Sequence, residues 1–432
     1  MKKTNIIEEL DNRNLIYQIT DKKYISNILL KKKISLYCGF DPTSDSLHVG
    51  HLLVLLCLKH FQLLGHRPIV LIGSSTALIG DPSFKNIERN FNNFEKINTY
   101  VKKIKIQISM FLNFNCGNNS AIILDNKEWF NKINIIDFLN KTGKHFSVNK
   151  MISKEIIKNR LFKNKNSISF SEFSYNLLQS YDFSYLYKKY NVKLQIGGSD
   201  QWGNITSGIF LTHKLYKKKV YGLTVPIITN SNGIKFSKTS QGTIWLDKNK
   251  TSIYKFYQFW INIPDSDLLN FLKLFNLINN IKIKKIDKKY KYENNFLNYK
   301  KKILAEEITK IVHGKIGLKC AKRITYSLFK NKVINLTEND FKQLYKDGIK
   351  TIDITQSYDL QQILKNSNLA KSRNQARILI ISNSISINGI KQNNPEYILN
   401  KNDILYGKFT IIQKGKKKHC LLNWKKKFKK KI

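Results

Sequence analysis

The sequence predicts an α/β protein in which a parallel sheet covered by helices is followed by a helical domain and a small basic α+β domain. Its 432 residues are enough for about three domains of about 150 residues each. In the first half, short β-rich runs alternate with amphipathic stretches, which is typical of strands joined by helical crossovers. Strand-like runs are then missing between residues 252 and 330 and return near the C-terminus.

The first half supplies the elements of the parallel sheet. Strands are predicted over residues 34–40, 68–73, 121–124 and 193–196, and helices over 49–64 and 170–189. Glycines follow several of these segments, notably Gly65 after the first helix and Gly197 after the last strand. We therefore expect a Rossmann-like domain over residues 1–228, followed by a loop and linker over 229–250.

The second half changes character twice. Helical patterns fill residues 251–335, with a Lys-rich interruption, and a polar linker is expected near 331–355. Residues 356–432 then combine two helical segments, starting near 358 and at 372, with short strands around 385–387, 404–406 and 409–412. This last segment has 17 Lys or Arg against 3 Asp or Glu, a net charge of +14, so it is the basic domain.

The formal net charge of the whole chain is +45, which favours contact with nucleic acid or an anionic membrane. Only 7 of the 75 basic residues are Arg, and the excess of Lys, Asn and Ile is also what an AT-rich genome produces. Part of the positive charge is therefore explained by the nucleotide composition of the genome. The placement of charges indicates function better than their total.

Cysteine usage and hydropathy predict a cytoplasmic protein without a membrane partner. The five cysteines are scattered and form no CxxC pair, so we expect reduced thiols and no bound zinc. The longest apolar runs, 52–58 and 69–79, are shorter than the about 20 residues that a bilayer requires. Glu8, Glu9 and Asp11 make the N-terminus unlike a signal or transit peptide.

The first candidate site follows the strand over residues 34–40, where the sequence YCGFDPTSDSLHVGH runs from 37 to 51. A helix that starts beyond the carboxyl end of a parallel strand offers free N–H groups and a positive dipole end to phosphate. His48 and His51 lie three residues apart on one face of that helix, and Gly50 leaves room for a flat ring. A metal site would need a third ligand, which the sequence nearby does not supply, so no metal is expected. The remaining alternative is that two surface histidines have this spacing by chance. The preceding strand and turn argue against it.

A second candidate site is the polar loop over residues 230–241, which contains the sequence KFSKT from 235 to 239. Lysines in such a loop are usually solvated charge. Here Phe236 separates Lys235 from Lys238, small hydroxyl residues follow each of them, and glycine and asparagine are frequent in the loop. Two ammonium groups at this spacing could hold a leaving pyrophosphate.

Together the HVGH and KFSKT segments resemble the HIGH and KMSKS signatures of class I aminoacyl-tRNA synthetases. Four blocks resemble the bacterial-type tyrosyl-tRNA synthetase family in particular: YCGFDPT (37–43), GDPS (80–83), FSYNLLQSYDF (173–183) and QIGGSDQWGN (195–204). The resemblance covers essentially the whole chain. It implies a ligase of protein biosynthesis that activates L-tyrosine with ATP and Mg²⁺ and transfers it to tRNA(Tyr). It also implies a homodimer, with a catalytic domain that carries a dimerisation insert and a helical domain of the anticodon-binding type.

The resemblance implies roles for individual residues. Tyr37 and Asp182 would bind the phenolic hydroxyl of tyrosine, Asp81, Tyr175 and Gln179 would bind its ammonium group, and Gln195 and Gln201 would help to place it. The implied ATP-binding residues are Cys38, Gly39, Asp41, His48, His51, Gly198, Asp200 and Lys238. The implied catalytic residues, which would surround the phosphates, are Thr43, His48, Lys85, Arg89, Lys235, Lys238 and Thr239. Since the tyrosine carboxylate is itself the nucleophile, the rate would come from positioning and charge.

The C-terminal stretch LAKSRNQAR (369–377), followed by ISING (385–389), resembles a small RNA-binding module of ribosomal proteins and RNA-modifying enzymes. In that module Lys371, Arg373 and Arg377 would present basic groups from a helix end and its preceding turn to RNA phosphates. Ordinary surface charge is the alternative. The chain departs from the family pattern at Ser237 and Phe84, where Gly is common, and at Asn140, where Arg is frequent.

Two other functions fit parts of the sequence. Tryptophanyl-tRNA synthetase shares the class and scaffold, but the pair of Tyr37 and Asp182 and the C-terminal domain argue against it. A catalytically idle RNA-binding or splicing factor could also retain this scaffold. The complete set of nucleotide and tyrosine ligands argues against that function, because a binding protein does not need them.

Overall fold

The structure is a computed structural model that describes residues 5–82, 93–163, 167–229, 238–239, 242–275, 296–355, 359–415 and 418–425. At 238–239 it describes the backbone only. The chain divides into two compact units. The first comprises Met1–Leu246 with Asp265–Lys289, and the second Asp247–Pro264 with Tyr290–Ile432.

The first unit is built on a six-stranded sheet with the order β1-β6-β5-β2-β3-β4. Its strands are β1 (Gln18–Ile19), β2 (Ser35–Phe40), β3 (Arg67–Ile72), β4 (Ile122–Asp125), β5 (Val192–Gly198) and β6 (Tyr221–Val225). All neighbours pair in parallel except β1, which is antiparallel to β6. The predicted α/β class with a parallel sheet is therefore confirmed. A separate antiparallel pair joins β7 (Lys238–Thr239) to β8 (Gly242–Thr243).

Helices connect and cover these strands. They are α1 (Ile6–Asn12), α2 (Lys22–Lys31), α3 (Val49–Leu63), α4 (Ser74–Ile79), α5 (Phe94–Ser109), α6 (Lys127–Phe130), α7 (Ile135–Lys141), α8 (Val148–Ile152), α9 (Glu155–Lys158), α10 (Phe170–Tyr190) and α11 (Trp202–Tyr216). Helix α10 starts at Ser169, whose side chain accepts from the Glu172 N–H, and ends at Asn191 in the left-handed conformation. One core cluster packs Phe183 and Leu186 of α10 against Tyr37, Ile69 and Leu71 of the sheet.

The second unit combines helices with a five-stranded sheet of order β11-β10-β12-β13-β9. Its strands are β9 (Lys350–Ile354), β10 (Ile385–Ile387), β11 (Ile390–Lys391), β12 (Phe409–Lys414) and β13 (Lys418–Trp424). Helix α12 (Ile253–Ile261) belongs to this unit, and α13 (Asp265–Leu274) belongs to the first. The remaining helices are α14 (Phe296–Phe329), α15 (Glu338–Gln343), α16 (Leu360–Asn366) and α17 (Arg373–Ile381). Gly314, with a φ of 71°, interrupts α14.

Two expectations for the second unit are wrong. Residues 331–355 are folded and not a linker, because β9 pairs in parallel with β13 and Phe341 of α15 lies in a core shared with Ile324 and Ile411. The strand expected at 404–406 is a turn: Tyr406 and Gly407 have positive φ, and Leu405 exchanges both backbone hydrogen bonds with Phe409. Residues 331–355 are folded because β9 pairs with β13, a strand distant in the sequence. Residues 404–406 form a turn because the chain reverses its direction there.

None of the helices in the described part of the chain combines the length and the apolar character that crossing a bilayer requires. The five cysteines Cys38, Cys57, Cys116, Cys320 and Cys420 are free thiols. Within the described ranges, no group of three or more His, Cys, Asp or Glu side chains is arranged to hold a metal ion.

Candidate active site

A cleft of ≈ 450 Å³ opens at the carboxyl ends of β2, β3 and β5, beside the starts of α3 and α4. It brings together every predicted tyrosine-binding, ATP-binding and catalytic residue of the first unit whose side chain is described. These are Tyr37, Cys38, Gly39, Asp41, Thr43, His48, His51, Asp81, Tyr175, Gln179, Asp182, Gln195, Gly198, Asp200 and Gln201. Parallel pairing explains the convergence, since it places the carboxyl ends of neighbouring strands at one edge of the sheet.

Several predicted residues cannot be placed in this cleft. Lys85, Arg89 and Lys235 lie outside the described residues. Lys238 and Thr239 form strand β7, where Lys238 pairs with Thr243 and Thr239 with Gly242, and their side chains are not described. Their expected contacts with the phosphates therefore stay predictions.

Asp182 lies at the buried end of the cleft on α10. Its Oδ1 accepts from the indole Nε1 of Trp129 at 2.8 Å, and its Oδ2 accepts from Nδ2 of Asn126 at 3.2 Å. Burial raises the pKa of Asp182 well above its ordinary value, and the two donated hydrogen bonds oppose that rise. The carboxyl group is thus held in one orientation by two buried donors.

Tyr37 of β2 faces the same end of the cleft. Its ring packs edge-on against Phe183, with 5.2 Å between the centroids, and the strand register places it opposite Gln195 of β5. Burial and then the Asp182 carboxyl raise the pKa of Tyr37, so its hydroxyl stays protonated. That hydroxyl is buried and has no hydrogen-bond partner among the described residues. It is therefore available to a polar group of a ligand.

Asp41 joins this region to Tyr175 through a side-chain network. The Tyr175 hydroxyl donates to Asp41 Oδ2 at 2.8 Å, and Thr76 donates to Asp41 Oδ1 at 2.8 Å. Asn126 in turn donates to Thr76 at 3.1 Å. Because the phenol proton of Tyr175 points at Asp41, its oxygen lone pairs remain acceptors. A Cβ at Gly73 would stand 2.0 Å from Asp41 Oδ1 and 2.3 Å from Thr76 Oγ1, so a larger residue here would displace this network.

Near Tyr175, the side chains of Gln179, Gln201 and Asp81 line the same cleft. Gln201 donates through Nε2 to Asp81 Oδ2 at 2.8 Å and accepts at Oε1 from Nε2 of Gln179 at 3.3 Å. The Oε1 atoms of Gln179 and Gln195 are buried and have no partner among the described residues. Buried carbonyl oxygens are normally paired, so two unpaired ones in one cleft indicate a ligand with donors.

His48 and His51 occupy the start of α3. His48 is the N-cap residue: its Nδ1 accepts from the Gly50 N–H at 3.1 Å, and its own N–H donates to Nδ1 of His51 at 3.2 Å. Burial, and then the proximity of His48, lower the pKa of His51 well below its ordinary range, so this ring is neutral. With both Nδ1 atoms accepting, each neutral imidazole carries its proton on Nε2. The helix start is therefore lined with donors.

Sequence reasoning missed Gly73, Thr76, Asn126 and Trp129, which orient Asp41 and Asp182. One signal could have found two of them. Gly73 directly follows β3 and Asn126 directly follows β4, so both stand at the edge of the sheet where the recognised residues stand. No such signal marks Thr76 and Trp129, because their contacts with Asp41 and Asp182 depend on side-chain packing.

The predicted RNA-binding residues lie at the start of α17 in the second unit. Lys371, Arg373 and Arg377 are exposed, and Ser372 caps the helix by accepting from the Gln375 N–H. Arg373 contacts Asp359 at 3.1 Å and Arg377 contacts Glu396 at 3.3 Å. Since both arginine side chains stay about half exposed, these contacts leave guanidinium surface open to solvent.

Comparison with known proteins agrees with this arrangement. Residues 30–330 match the model of the class I tRNA synthetases (W and Y), and residues 340–422 match that of the tyrosine–tRNA ligase SYY-like C-terminal domain. The tyrosine–tRNA ligase of Pectobacterium atrosepticum is 53% identical over 98% of this chain and 100% of its own length. That of Hamiltonella defensa is 54% identical with the same coverage.

Solved structures with lower sequence identity share the fold of this chain. A C-terminally truncated mitochondrial tyrosyl-tRNA synthetase from Aspergillus nidulans superposes with a TM-score of 0.68 at 26% identity, covering 76% of this chain and 94% of its own. Tryptophanyl-tRNA synthetase from Plasmodium falciparum, at 17% identity and a TM-score of 0.53, shares the fold over 79% of this chain and 88% of its own. The chain is an aminoacyl-tRNA synthetase of class I and belongs to the tyrosine–tRNA ligase family.

Proposed function

We propose that the cleft activates L-tyrosine with ATP to tyrosyl-adenylate and that the enzyme then transfers the tyrosyl group to the 3′ end of tRNA(Tyr). The observation that carries this proposal is the unpartnered, buried hydroxyl of Tyr37 beside the oriented carboxyl of Asp182. A phenol can accept from the Tyr37 hydroxyl and donate to the Asp182 carboxyl. An indole ring has a donor but no matching acceptor.

The opposite end of the substrate would be held by acceptors. Asp81, the Tyr175 oxygen and the unpartnered Gln179 Oε1 all line the cleft and suit an ammonium group. The distance along α10 supports this assignment, since Tyr175, Gln179 and Asp182 recur at spacings of four and three and so share one helix face. Gln195 and Gln201 would place the substrate between the two ends.

The reaction needs no proton transfer in its first step. A carboxylate oxygen of tyrosine forms a bond to the α-phosphorus of ATP while the bond to the bridging oxygen of the β-phosphate breaks, and pyrophosphate leaves. Thr43 and the Nε2–H groups of His48 and His51 would donate to phosphate oxygens, helped by the N-terminus of α3. Lys85, Arg89, Lys235, Lys238 and Thr239 are proposed to surround the departing pyrophosphate.

ATP would enter this reaction as its magnesium complex, with the ion carried on the phosphates, where Mg²⁺ usually keeps several waters. The ribose would lie near Asp200, whose carboxylate can accept from its hydroxyls. Cys38, Gly39, Asp41 and Gly198 would form the surrounding wall. A Cβ at Gly39 would meet no atom within 4 Å, so this position opens directly onto the space that we assign to the nucleotide.

A homodimer is proposed from the exposed apolar side chains of the segment between the two signatures. On α7, Ile135 is 63% and Ile136 70% exposed, and Leu139, Val148 and Phe210 of the same unit are exposed as well. Exposed apolar side chains commonly mark a protein–protein interface where they form one patch, and we propose that these do. Light scattering of the intact chain and of an Ile136→Asp variant tests this, with a dimer expected for the first and a shift toward monomer for the second.

The cytoplasm is the proposed location, since free thiols persist in a reducing compartment. The α17 region is proposed to bind tRNA through phosphate contacts of Lys371, Arg373 and Arg377. The residue ranges 1–228, 229–250, 251–335 and 356–432 remain our proposed functional division into catalytic, signature-loop, anticodon-binding-type and RNA-binding parts. The compact units of the structure divide the chain in a different way.

Amino-acid-dependent exchange of radiolabelled pyrophosphate into ATP tests the proposed function. Tyrosine should support exchange, and tryptophan or phenylalanine at equal concentration should support little or none. Exchange that depends on tryptophan, or no exchange with any of the three, would contradict the proposal. Binding of RNA without any exchange would instead favour the idle RNA-binding protein.

A further inference from the structure

A chain of side-chain hydrogen bonds runs through the first unit from Lys154, in the turn before α9, to the cleft. Lys154 Nζ donates to Asn176 Oδ1 at 2.9 Å, and Asn176 Nδ2 donates to Asn204 Oδ1 at 2.7 Å. Asn204 Nδ2 donates to Gln201 Oε1 at 3.3 Å, and Gln201 Nε2 donates to Asp81 Oδ2 at 2.8 Å. Every link therefore points in the same direction.

The two ends of the chain determine that direction. An ammonium group has only donors and an ionised carboxylate has only acceptors, whereas each amide in between can be turned over to exchange its oxygen and nitrogen. Asn176 must present its oxygen to Lys154, which leaves its nitrogen for Asn204, and the same constraint passes to Gln201. No single amide can reverse without losing a hydrogen bond on both sides.

The orientation of these amides determines which group Gln179 presents to the substrate. Because Gln201 presents its oxygen, Gln179 must donate with Nε2, and its own Oε1 is left buried and unpartnered among the described residues. Gln179 lines the cleft together with Tyr175 and Asp81. If Gln201 were reversed, Gln179 would turn its oxygen to Gln201 and its NH₂ group into the cleft, where a substrate ammonium would meet donors.

Lys154 itself is held in place away from the substrate. Its other two protons go to the Gly203 carbonyl at 3.2 Å and to the Ser207 hydroxyl, whose own proton is donated to Gly203 at 2.8 Å. Burial lowers the pKa of Lys154 to about 8, so the ammonium form still predominates at neutral pH. The residue is not among those that line the cleft.

We propose that Lys154 is a positioning residue that, together with Asp81 at the other end, holds three amides in one orientation and thereby turns the Gln179 carbonyl toward the ammonium group of the substrate. The inference rests on the proposed function, since it requires that the cleft bind tyrosine. It predicts an effect confined to ligands with an ammonium group, which general loss of packing would not produce.

Four variants of the full-length protein distinguish an effect of hydrogen-bond direction from a general loss of packing. Lys154→Met removes the donor at the start of the chain, and Lys154→Arg keeps a group with donors only. Asn176→Asp keeps an acceptor for Lys154 but cannot donate to Asn204, so it favours the reversed orientation of the amides beyond it. Lys158→Met, at an exposed lysine of α9, is the matched control.

Calorimetry then measures binding of tyrosine, of tyramine, which keeps the ammonium group, and of 3-(4-hydroxyphenyl)propanoate, which lacks it. In Asn176→Asp, the Kd of tyrosine and of tyramine should rise about tenfold or more, as for a lost hydrogen bond to a charged group. In Lys154→Met both values should rise by a smaller factor, because Asp81 still accepts from Gln201 at the other end of the network. The Kd of the des-amino acid should change by less than about twofold, because its contacts avoid this end of the cleft. Lys154→Arg and Lys158→Met should bind all three ligands nearly as the wild type does.

Equal weakening of all three ligands, or unchanged binding in both Lys154→Met and Asn176→Asp, would overturn the inference while leaving the proposed function intact. Failure of the wild-type chain to bind tyrosine would overturn both. In pyrophosphate exchange the same two variants should raise the KM for tyrosine with little change in kcat, as expected for an interaction made equally in the ground and transition states.

Discussion

The cleft of the first unit and the start of α17 in the second unit differ in how their polar groups are arranged. In the cleft, buried amides, hydroxyls and carboxyls hold one another at fixed orientations, and a few atoms such as Tyr37 Oη are left unpaired. At α17, exposed arginines rest against acidic neighbours that solvent also reaches. Ligand binding in the first region is therefore expected to depend on geometry and to respond weakly to salt. The tRNA binding that we propose for the second region is expected to depend on charge and to respond strongly to salt.

The largest expected effect is the loss of tyrosine activation in Asp182→Ala. Removing the carboxyl takes away the proposed acceptor for the substrate and leaves the buried donors of Asn126 and Trp129 without their partner. We expect kcat/KM for tyrosine to fall by at least about a thousandfold, roughly 4 kcal/mol. Pyrophosphate exchange measures this, with Asp11→Ala, an exposed carboxylate on α1, as the control. Near-normal activity in Asp182→Ala would show that the buried network does not select the substrate.

A smaller effect is expected for His48→Ala, which removes a donor that we propose to face the phosphates. The single-turnover rate of adenylate formation should fall by about 10² to 10³, as for a removed donor to developing negative charge. The Kd of tyrosine should stay nearly constant, because tyrosine is proposed to bind at the other end of the cleft. Rapid-quench kinetics and equilibrium dialysis separate the two quantities. A parallel rise in the tyrosine Kd would place His48 at the amino-acid end instead.

The α17 region should respond to charge in a graded way. Replacing Lys371, Arg373 and Arg377 together by Ala should weaken tRNA binding and lower the slope of log Kd against log salt by roughly 2 to 3. Pyrophosphate exchange should be unchanged. The control is alanine at Lys31, Lys32 and Lys102, three exposed lysines of the first unit, which removes equal charge elsewhere. Equal slopes for the two triple variants would mean that total charge and not position binds the tRNA.

The smallest expected effect is on the pH dependence of folding stability, through His66 of the first unit. Burial, and then Lys33, lower the pKa of His66 to about 4, and its Nδ1 accepts from the Ile34 N–H at 3.3 Å, so the folded ring is neutral. Between its ordinary pKa and about 4, the unfolded chain binds the extra proton and the folded chain does not. Stability therefore falls as the pH falls through this window. Denaturant midpoints at pH 7 and pH 5 should differ less in His66→Gln than in the wild type, and an equal difference would contradict the neutral ring.

The same contrast explains which features the sequence predicts. Local patterns identify the strand ends and the HVGH and QIGGSDQW segments, because parallel pairing brings strand ends together without further information. The contacts of Asn126 and Trp129 with Asp182 join residues 53 to 56 positions apart and depend on side-chain packing. Strand β9 escaped prediction for a similar reason, since its pairing with β13 is long-range and most of its side chains are not buried.

The central claim, that the cleft recognises the phenol of tyrosine, is tested most directly by the ratio of kcat/KM for tyrosine to that for phenylalanine. Both should be measured by pyrophosphate exchange in the wild type and in Tyr37→Phe. Since the variant loses one hydrogen bond to the substrate hydroxyl, the account predicts that activation of tyrosine weakens by about 1 to 3 kcal/mol and that the ratio falls accordingly. An unchanged ratio in Tyr37→Phe would contradict the claim.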